Sequence, residues 1–167
     1  MTNWIYRALA GLCVLTTAAG PRQPSSTAVF AFRLDDTSLQ GEMQGPRSDE
    51  QTRLLMLDTQ LRAMLKQSGC CTVLDLGDVA KQAQETDLQA CGGCDVDLAR
   101  KAGAIIAVTG WVQKVSNLIL NINIVARDVG SGRVIGAGSV DIRGNTDESW
   151  TRGLSYLIRN RLHPSDW

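Results

Sequence analysis

Cysteine is the residue type in this chain that is best suited to chemical reactivity. The 167-residue sequence holds five cysteines. Cys13 lies near the start, Cys70 and Cys71 are adjacent, and Cys91 and Cys94 enclose two glycines. A helix is predicted directly after Cys94, where the helix dipole would stabilise a thiolate, and a two-residue spacing allows an easily reduced small ring. The Cys91-Gly-Gly-Cys94 motif is therefore compatible with a dithiol redox site.

Structural disulfides are the favoured alternative for these cysteines. The motif follows polar residues rather than a strand, and no proline between Cys94 and Pro164 could face it as in a thioredoxin-type site. Zinc binding is disfavoured because the adjacent Cys70 and Cys71 lack the spacing of a zinc knuckle. Covalent haem is excluded because Asp95 stands where a ligating histidine would follow. Four cysteines in an exported chain favour disulfides, with the pairing left open.

Other catalytic sets are poorly supported. His163 is the single histidine and lies beside Pro164 near the end of the chain, which disfavours a histidine-activated nucleophile. The loop at residues 35–47 carries Asp35, Asp36 and Glu42, which could form a cation site, but solvated turn carboxylates are favoured because calcium loops need more oxygen ligands. We therefore predict no enzyme activity, no cofactor and no metal site.

Charge and the first residues limit the class of protein. The formal net charge is zero and the sequence shows no basic stripe, which argues against nucleic-acid binding. Arg7, an apolar stretch at residues 8–19 and small residues near Ala19 predict a signal peptide cleaved near Ala19, and hence a periplasmic protein without a transmembrane segment. Lipidation at Cys13 is disfavoured because the preceding residues do not match a lipobox. Residues 20–26 are predicted to be a linker, 27–163 a single domain and 164–167 a tail.

The elements that must position these residues centre on a predicted antiparallel meander at residues 104–141. Between residues 118 and 127, apolar residues alternate with a mixed set, a period of two that places the two sets on opposite faces of a strand. The predicted core face consists of Leu118, Leu120, Ile122, Ile124 and Ala126. Turns are predicted at 116–117 and 130–132.

The remaining elements are predicted to lie around this meander. Residues 27–34 and 71–76 are apolar and predict two further strands. Helices are predicted from Ser48 to Gly69, from Asp78 to about Leu88, at 95–102, and after Asn145 near the end of the chain. The fold class is therefore α/β (α+β), with a single mixed sheet of about five strands flanked by helices.

The face of residues 118–127 that points away from the predicted core is half polar and half apolar. It carries Ile119, Asn121, Asn123 and Val125, and Trp111 on the preceding strand could join it as an aromatic anchor. The alternative is that helices cover both faces of the sheet, with Trp111 in the core and the asparagines bonded to backbone or water. These five residues are the candidates for partner binding.

Several segments together resemble a known superfamily. The stretches AVFAF, TVLDL, KAGA, AVTGWV and ARDVGSGRVI resemble the amino-terminal domain of TolB and the related CsgG-like domains. More narrowly, residues 110–150 resemble a family of small secreted bacterial proteins classed only as a domain of unknown function. The chain departs from the superfamily in having no lipobox, no propeller and no long pore-forming insertion.

The resemblance implies a non-catalytic accessory protein that binds another envelope protein. The partner would be a periplasmic or outer-membrane-associated protein, and a periplasmic quinoprotein oxidation system is the one nominated. No catalytic residues come with the resemblance. The alternative function is thiol-disulfide exchange at Cys91 and Cys94, or at Cys70 and Cys71.

Overall fold

The computed structural model describes residues 23–167, so the predicted signal peptide lies outside the described residues. The strands are β1 (Ser25–Val29), β2 (Arg33–Asp36), β3 (Cys71–Val73), β4 (Ile106–Lys114), β5 (Ile119–Asp128) and β6 (Val134–Arg143). They form one six-stranded sheet in the order β3-β1-β4-β5-β6, with β2 also paired to β4. β1 pairs in parallel with both β3 and β4, and β2 pairs in parallel with β4, whereas β4, β5 and β6 form the predicted antiparallel meander. The predicted single mixed sheet flanked by helices is confirmed.

The first predicted strand, residues 27–34, is wrong as a single element because it is interrupted at residues 30–32. These three residues stand opposite only Thr109 and Gly110 of β4, so the chain bulges between β1 and β2. Two contacts explain the bulge. The Phe32 ring lies over Gly110, where a Cβ atom would be 2.5 Å from the ring. The backbone N–H of Phe32 donates to Oδ1 of Asp58 (2.8 Å) instead of to a strand.

The helices are α1 (Leu39–Gln44), α2 (Ser48–Gln67), α3 (Asp78–Glu85), α4 (Cys94–Lys101) and α5 (Asp147–Leu157). The short helix α1 lies within the segment predicted to be a loop. A π-type turn (Ile158–Leu162) and a 3₁₀ turn (Pro164–Asp166) follow α5. β1 begins at Ser25, inside the segment predicted to be a linker. At the other end, Trp167 of the predicted tail donates its indole N–H to the carbonyl of Leu162 (3.1 Å).

Helices α2 and α5 cover one whole face of the sheet. The leucine stripe of α2 and the buried face of α5 pack there against alternate residues of β4 and β5. Leu120, Ile122, Ile124 and Ala126 are buried as predicted, but Leu118 precedes β5 and is 71% exposed, so its assignment to the core is wrong. Gly138 and Gly153 let α5 approach closely, because a Cβ atom on either would collide with Leu157 or Ile142.

Helices α3 and α4 cover only part of the second face. Their apolar residues pack against a few sheet positions near β1 and the start of β4, namely Ala28, Phe30, Ala107 and Val129. The rest of this face, formed by the second half of β4 with β5 and β6, is not covered by any helix of residues 23–167.

Candidate functional site

The uncovered part of the sheet contains all five residues predicted to bind a partner. We call it the open face. It consists of residues from three neighbouring strands: Trp111 and Gln113 of β4; Ile119, Asn121, Asn123 and Val125 of β5; Ala137, Ser139 and Asp141 of β6. The register places Trp111, Asn123 and Ser139 side by side across three strands. Ile119 is 44% exposed and Trp111 is half-buried. The role of Trp111 in partner binding stays a prediction.

Side-chain hydrogen bonds fix the polar part of the open face. The amide of Asn121 donates to Oδ1 of Asp141 (2.7 Å), and Ser139 Oγ donates to Oδ1 of Asn121 (2.8 Å). Because these groups hold one another across β5 and β6, little conformational freedom remains to be lost when a partner binds. The open face is therefore a partly preorganised surface in which polar and apolar side chains are neighbours.

Two arginines hold the helices at the boundary of the open face. Arg33 donates to the carbonyls of Thr86 and Gln84 (3.0 Å for Gln84), just where α3 ends. Arg127 lies 3.2 Å from the buried carboxylate of Asp95 in the first turn of α4. These long-range contacts keep α3 and α4 over one half of the second face and leave the other half open.

The cysteines form two local pairs. Cys70 is disulfide-bonded to Cys71, the first residue of β3, and Cys91 is bonded to Cys94, the first residue of α4. Cys71 is buried, whereas Cys91 is exposed at the amino end of the helix. Each pair closes a short loop and joins no distant elements. Within residues 23–167, no group of three or more His, Cys, Asp or Glu side chains is arranged to hold a metal ion.

A buried ion cluster lies where β2 and β4 end. The Lys114 ammonium is fully buried and lies 2.7 Å from Oε1 of Glu50 and 3.0 Å from Oδ2 of Asp36. Asn145 also donates to Oε1 of Glu50 (2.6 Å), and Ser38 donates to Asp36 through both its hydroxyl and its N–H. The favoured sequence interpretation of Asp36 as a solvated turn carboxylate is therefore wrong.

The pKa values of Asp36 and Lys114 are both shifted within this ion cluster. Burial alone would raise the pKa of Asp36, but the hydrogen bonds from Ser38 and the charge of Lys114 outweigh it and hold that pKa below 3.8. Burial would likewise lower the pKa of Lys114, but Glu50 and Asp36 outweigh it and raise that pKa above 10.5. The sequence did carry a signal for this cluster, because Lys114 stands in phase with the core positions of β4.

A cleft of about 520 Å³ lies beside β2, between α2 and α3. We call it the edge cleft. Its walls are mixed, and their apolar residues include Leu54 and Leu55 from α2 and Leu76, Ala83 and Leu88 from the α3 side. Its polar groups include Asp58, which accepts the N–H of Phe32, and Arg62, which donates to the carbonyl of Val29. Sequence analysis missed this cleft because it treated α2 only as a stripe of core leucines.

Burial raises the pKa of Asp58 to about 6, although the Phe32 N–H and the Arg62 charge partly oppose the shift. Since the unfolded value is near 3.8, the folded chain retains a proton between about pH 4 and 6 that the unfolded chain releases. The free energy of unfolding therefore falls as the pH rises through this window. Asp58→Asn keeps an acceptor for Phe32 but removes the charge, so it should be more stable than the parent by about 1 kcal/mol at pH 7, with allowance for solvent screening. Urea unfolding from pH 4 to 7 measures this, and an unchanged pH slope in Asp58→Asn would contradict it.

Comparison with known proteins places the chain in a family. The family described as "Protein of unknown function (DUF2380)" matches residues 25–162, which is most of the described fold. The chain belongs to this family. The expected membership in a family of unknown function is thereby confirmed. No curated protein sequence matches the chain.

Three solved structures share the fold at low sequence identity. The C-terminal domain of LpoB from Salmonella enterica has a TM-score of 0.52 at 17% identity, over 75% of this chain and 87% of that one. LpoB from E. coli gives 0.53 at 15% identity, over 75% and 60%. Lipoprotein GNA1162 from Neisseria meningitidis gives 0.51 at 16% identity, over 74% and 84%. At these identities the likeness concerns the fold alone. Separately, no helix among residues 23–167 is both long and apolar enough to cross a membrane.

Proposed function

We propose that this protein is a non-catalytic accessory protein of the bacterial periplasm that binds another envelope protein through the open face. The observation that carries the proposal is the uncovered half of one face of the sheet, where the half-buried Trp111 lies in register with a hydrogen-bonded polar set on β5 and β6. The predicted signal peptide supports an envelope location, as does the fold shared with a protein named as a lipoprotein. The resemblance of the sequence to the amino-terminal domain of TolB is kept as part of this proposal, whereas the structural comparisons give no specific support for CsgG-like domains.

The composition of the open face suits a protein partner. Aromatic residues near the centre of an interface supply much of its binding energy, and the surrounding polar residues exclude water and set the register. Trp111 lies next to Asn123, near the middle of the open face, and Asn121 with Asp141 lies towards one end. We nominate a component of a periplasmic quinoprotein oxidation system as the partner.

The described residues support a binding role better than a catalytic one. His163 is exposed and follows the last turn of helix, and the buried carboxylates Asp36 and Glu50 are engaged with Lys114. Binding rather than turnover is therefore the function that the geometry favours.

Photo-crosslinking in whole cells tests the proposal. A benzoylphenylalanine placed at position 123 should capture one protein. Trp111→Ala removes the aromatic anchor, and Ser139→Arg places a bulky charge opposite position 123. Each change should therefore reduce the adduct at least tenfold. Thr72→Arg is the matched control, since Thr72 is exposed on β3 at the opposite edge of the sheet. An adduct that survives Trp111→Ala and Ser139→Arg, or no adduct above that of a probe at position 72, would refute the proposal.

Thiol-disulfide exchange is the second candidate function, favoured by one observation: the Cys91–Cys94 disulfide lies at the amino end of α4 with Cys91 exposed. Redox titration of the purified protein separates the two functions. A Cys91–Cys94 potential below about −300 mV indicates a structural disulfide, whereas a potential near those of periplasmic oxidoreductases favours exchange.

A further inference from the structure

We propose that the edge cleft binds an extended, apolar segment of a partner protein, which adds to the sheet as a strand beside β2. The edge cleft lies beside β2, apart from the open face, and its proposed role goes beyond the function proposed above. The proposal stands on the backbone groups at this edge, on the leucines in both walls of the cleft and on the exposure of Leu55.

The outer edge of the first strands is unpaired over most of its length. β3 pairs only with Ser25–Thr27, so no strand among residues 23–167 pairs with the outer edge of the chain from Ala28 to Asp36. Thr37 donates its backbone N–H to the carbonyl of Lys114 (3.0 Å), which fixes the odd-numbered residues of β2 as those bonded to β4. Because parallel pairing alternates along a strand, the N–H and C=O of Leu34 point outward into the edge cleft.

Side chains of α2 satisfy the upstream part of this edge and stop short of Leu34. Arg62 donates to the carbonyl of Val29, and Asp58 accepts the N–H of Phe32. Downstream, β2 ends at Asp36 and the chain turns into α1. The free backbone groups are thus concentrated around Leu34, in the part of the cleft that these capping residues leave unfilled.

The chemistry of this edge selects an extended peptide as the occupant. An extended strand offers free N–H and C=O groups that can bond to those of Leu34. In a helix, these backbone groups are already hydrogen-bonded within the helix. Side chains of a strand point alternately to its two faces, so successive residues would contact the α2 wall and then the α3 wall. Each wall carries leucines among its polar residues, and Leu55 at the rim is 67% exposed, so the occupant should carry apolar residues on both of its faces where it passes these leucines.

A peptide selection tests this inference with the full chain. A random 12-residue peptide library displayed on phage is selected against the protein, and enriched peptides are synthesised and titrated by calorimetry. We expect runs of apolar residues among them. Binding should fall at least tenfold in Leu34→Pro, which removes the outward N–H, and in Leu55→Asp, which places a charge on the cleft wall. It should change less than threefold in Leu34→Ala and in Leu39→Asp, a control with a leucine that is 70% exposed outside the cleft.

A second measurement guards against misfolding of Leu34→Pro. In the parent protein, amide hydrogen exchange at Leu34 should slow at least tenfold when the peptide binds, because that N–H becomes hydrogen-bonded. Four outcomes would overturn the proposal: no enriched peptide, peptides that leave exchange at Leu34 unchanged, peptides that protect β5 and β6 instead, or a dimer of the chain itself that Leu55→Asp dissociates. Since crosslinking from position 123 should be unaffected by Leu55→Asp, failure at the cleft is distinguishable from failure of the open face.

Discussion

Replacing Lys114 with methionine is expected to lower the free energy of unfolding by about 3–5 kcal/mol, the range for removing one partner of a buried ion pair. The Lys114 side chain is fully buried, and its ammonium is the cation shared by Glu50 and Asp36. The change leaves the almost fully buried Glu50 carboxylate, whose Oε2 already has no hydrogen-bond partner among residues 23–167, with Asn145 as its remaining donor. Urea unfolding at pH 7 measures the loss.

Two comparisons make this result specific to the ion cluster. Lys66→Met removes an exposed lysine from the last turn of α2 and should change stability by less than about 0.5 kcal/mol. Combining Lys114→Met with Glu50→Gln should recover part of the loss, because the second change removes the unpaired charge. A loss below about 1 kcal/mol in Lys114→Met would show that water reaches the cluster.

The sequence predicts those parts of the fold that depend on local periodicity. The alternation in residues 118–127 identifies β5 and its buried side, and the leucine spacing identifies α2, because each pattern needs only neighbours along the chain. The break between β1 and β2 could not be predicted in this way. It depends on the Phe32 ring over Gly110 and on the Phe32 N–H bonded to Asp58, two contacts between residues distant in sequence.

The candidate site likewise depends partly on local periodicity and partly on contacts between residues distant in sequence. Periodicity places Asn121 and Asn123 on one face, but whether that face is covered depends on where α3 and α4 lie. Their positions are held by Arg33 and Arg127, which contact residues tens of positions away. The edge cleft and the Lys114 ion cluster arise only when α2 packs on the sheet, so no single stretch of sequence encodes either.

Trp150→Ala is expected to lower the free energy of unfolding by about 3–5 kcal/mol, the range for truncating a large buried aromatic side chain. Trp150 is fully buried between α5 and the sheet, and its indole N–H donates to Oδ1 of Asn145 (3.0 Å). The substitution therefore leaves a cavity and also frees an oxygen of the residue that supports Glu50. Tyr156→Ala in the same helix is the control, because Tyr156 is 48% exposed and its truncation should cost under about 1 kcal/mol.

Trp150→Phe separates the two contributions. It fills most of the volume but lacks the N–H, so its cost should be about 1–2 kcal/mol, with Arg53 still 3.3 Å from Oδ1 of Asn145. Because Asn145 contacts both Trp150 and Glu50, Trp150→Phe and Lys114→Met should be non-additive by at least about 0.5 kcal/mol. Strict additivity would mean that Asn145 does not couple α5 to the ion cluster.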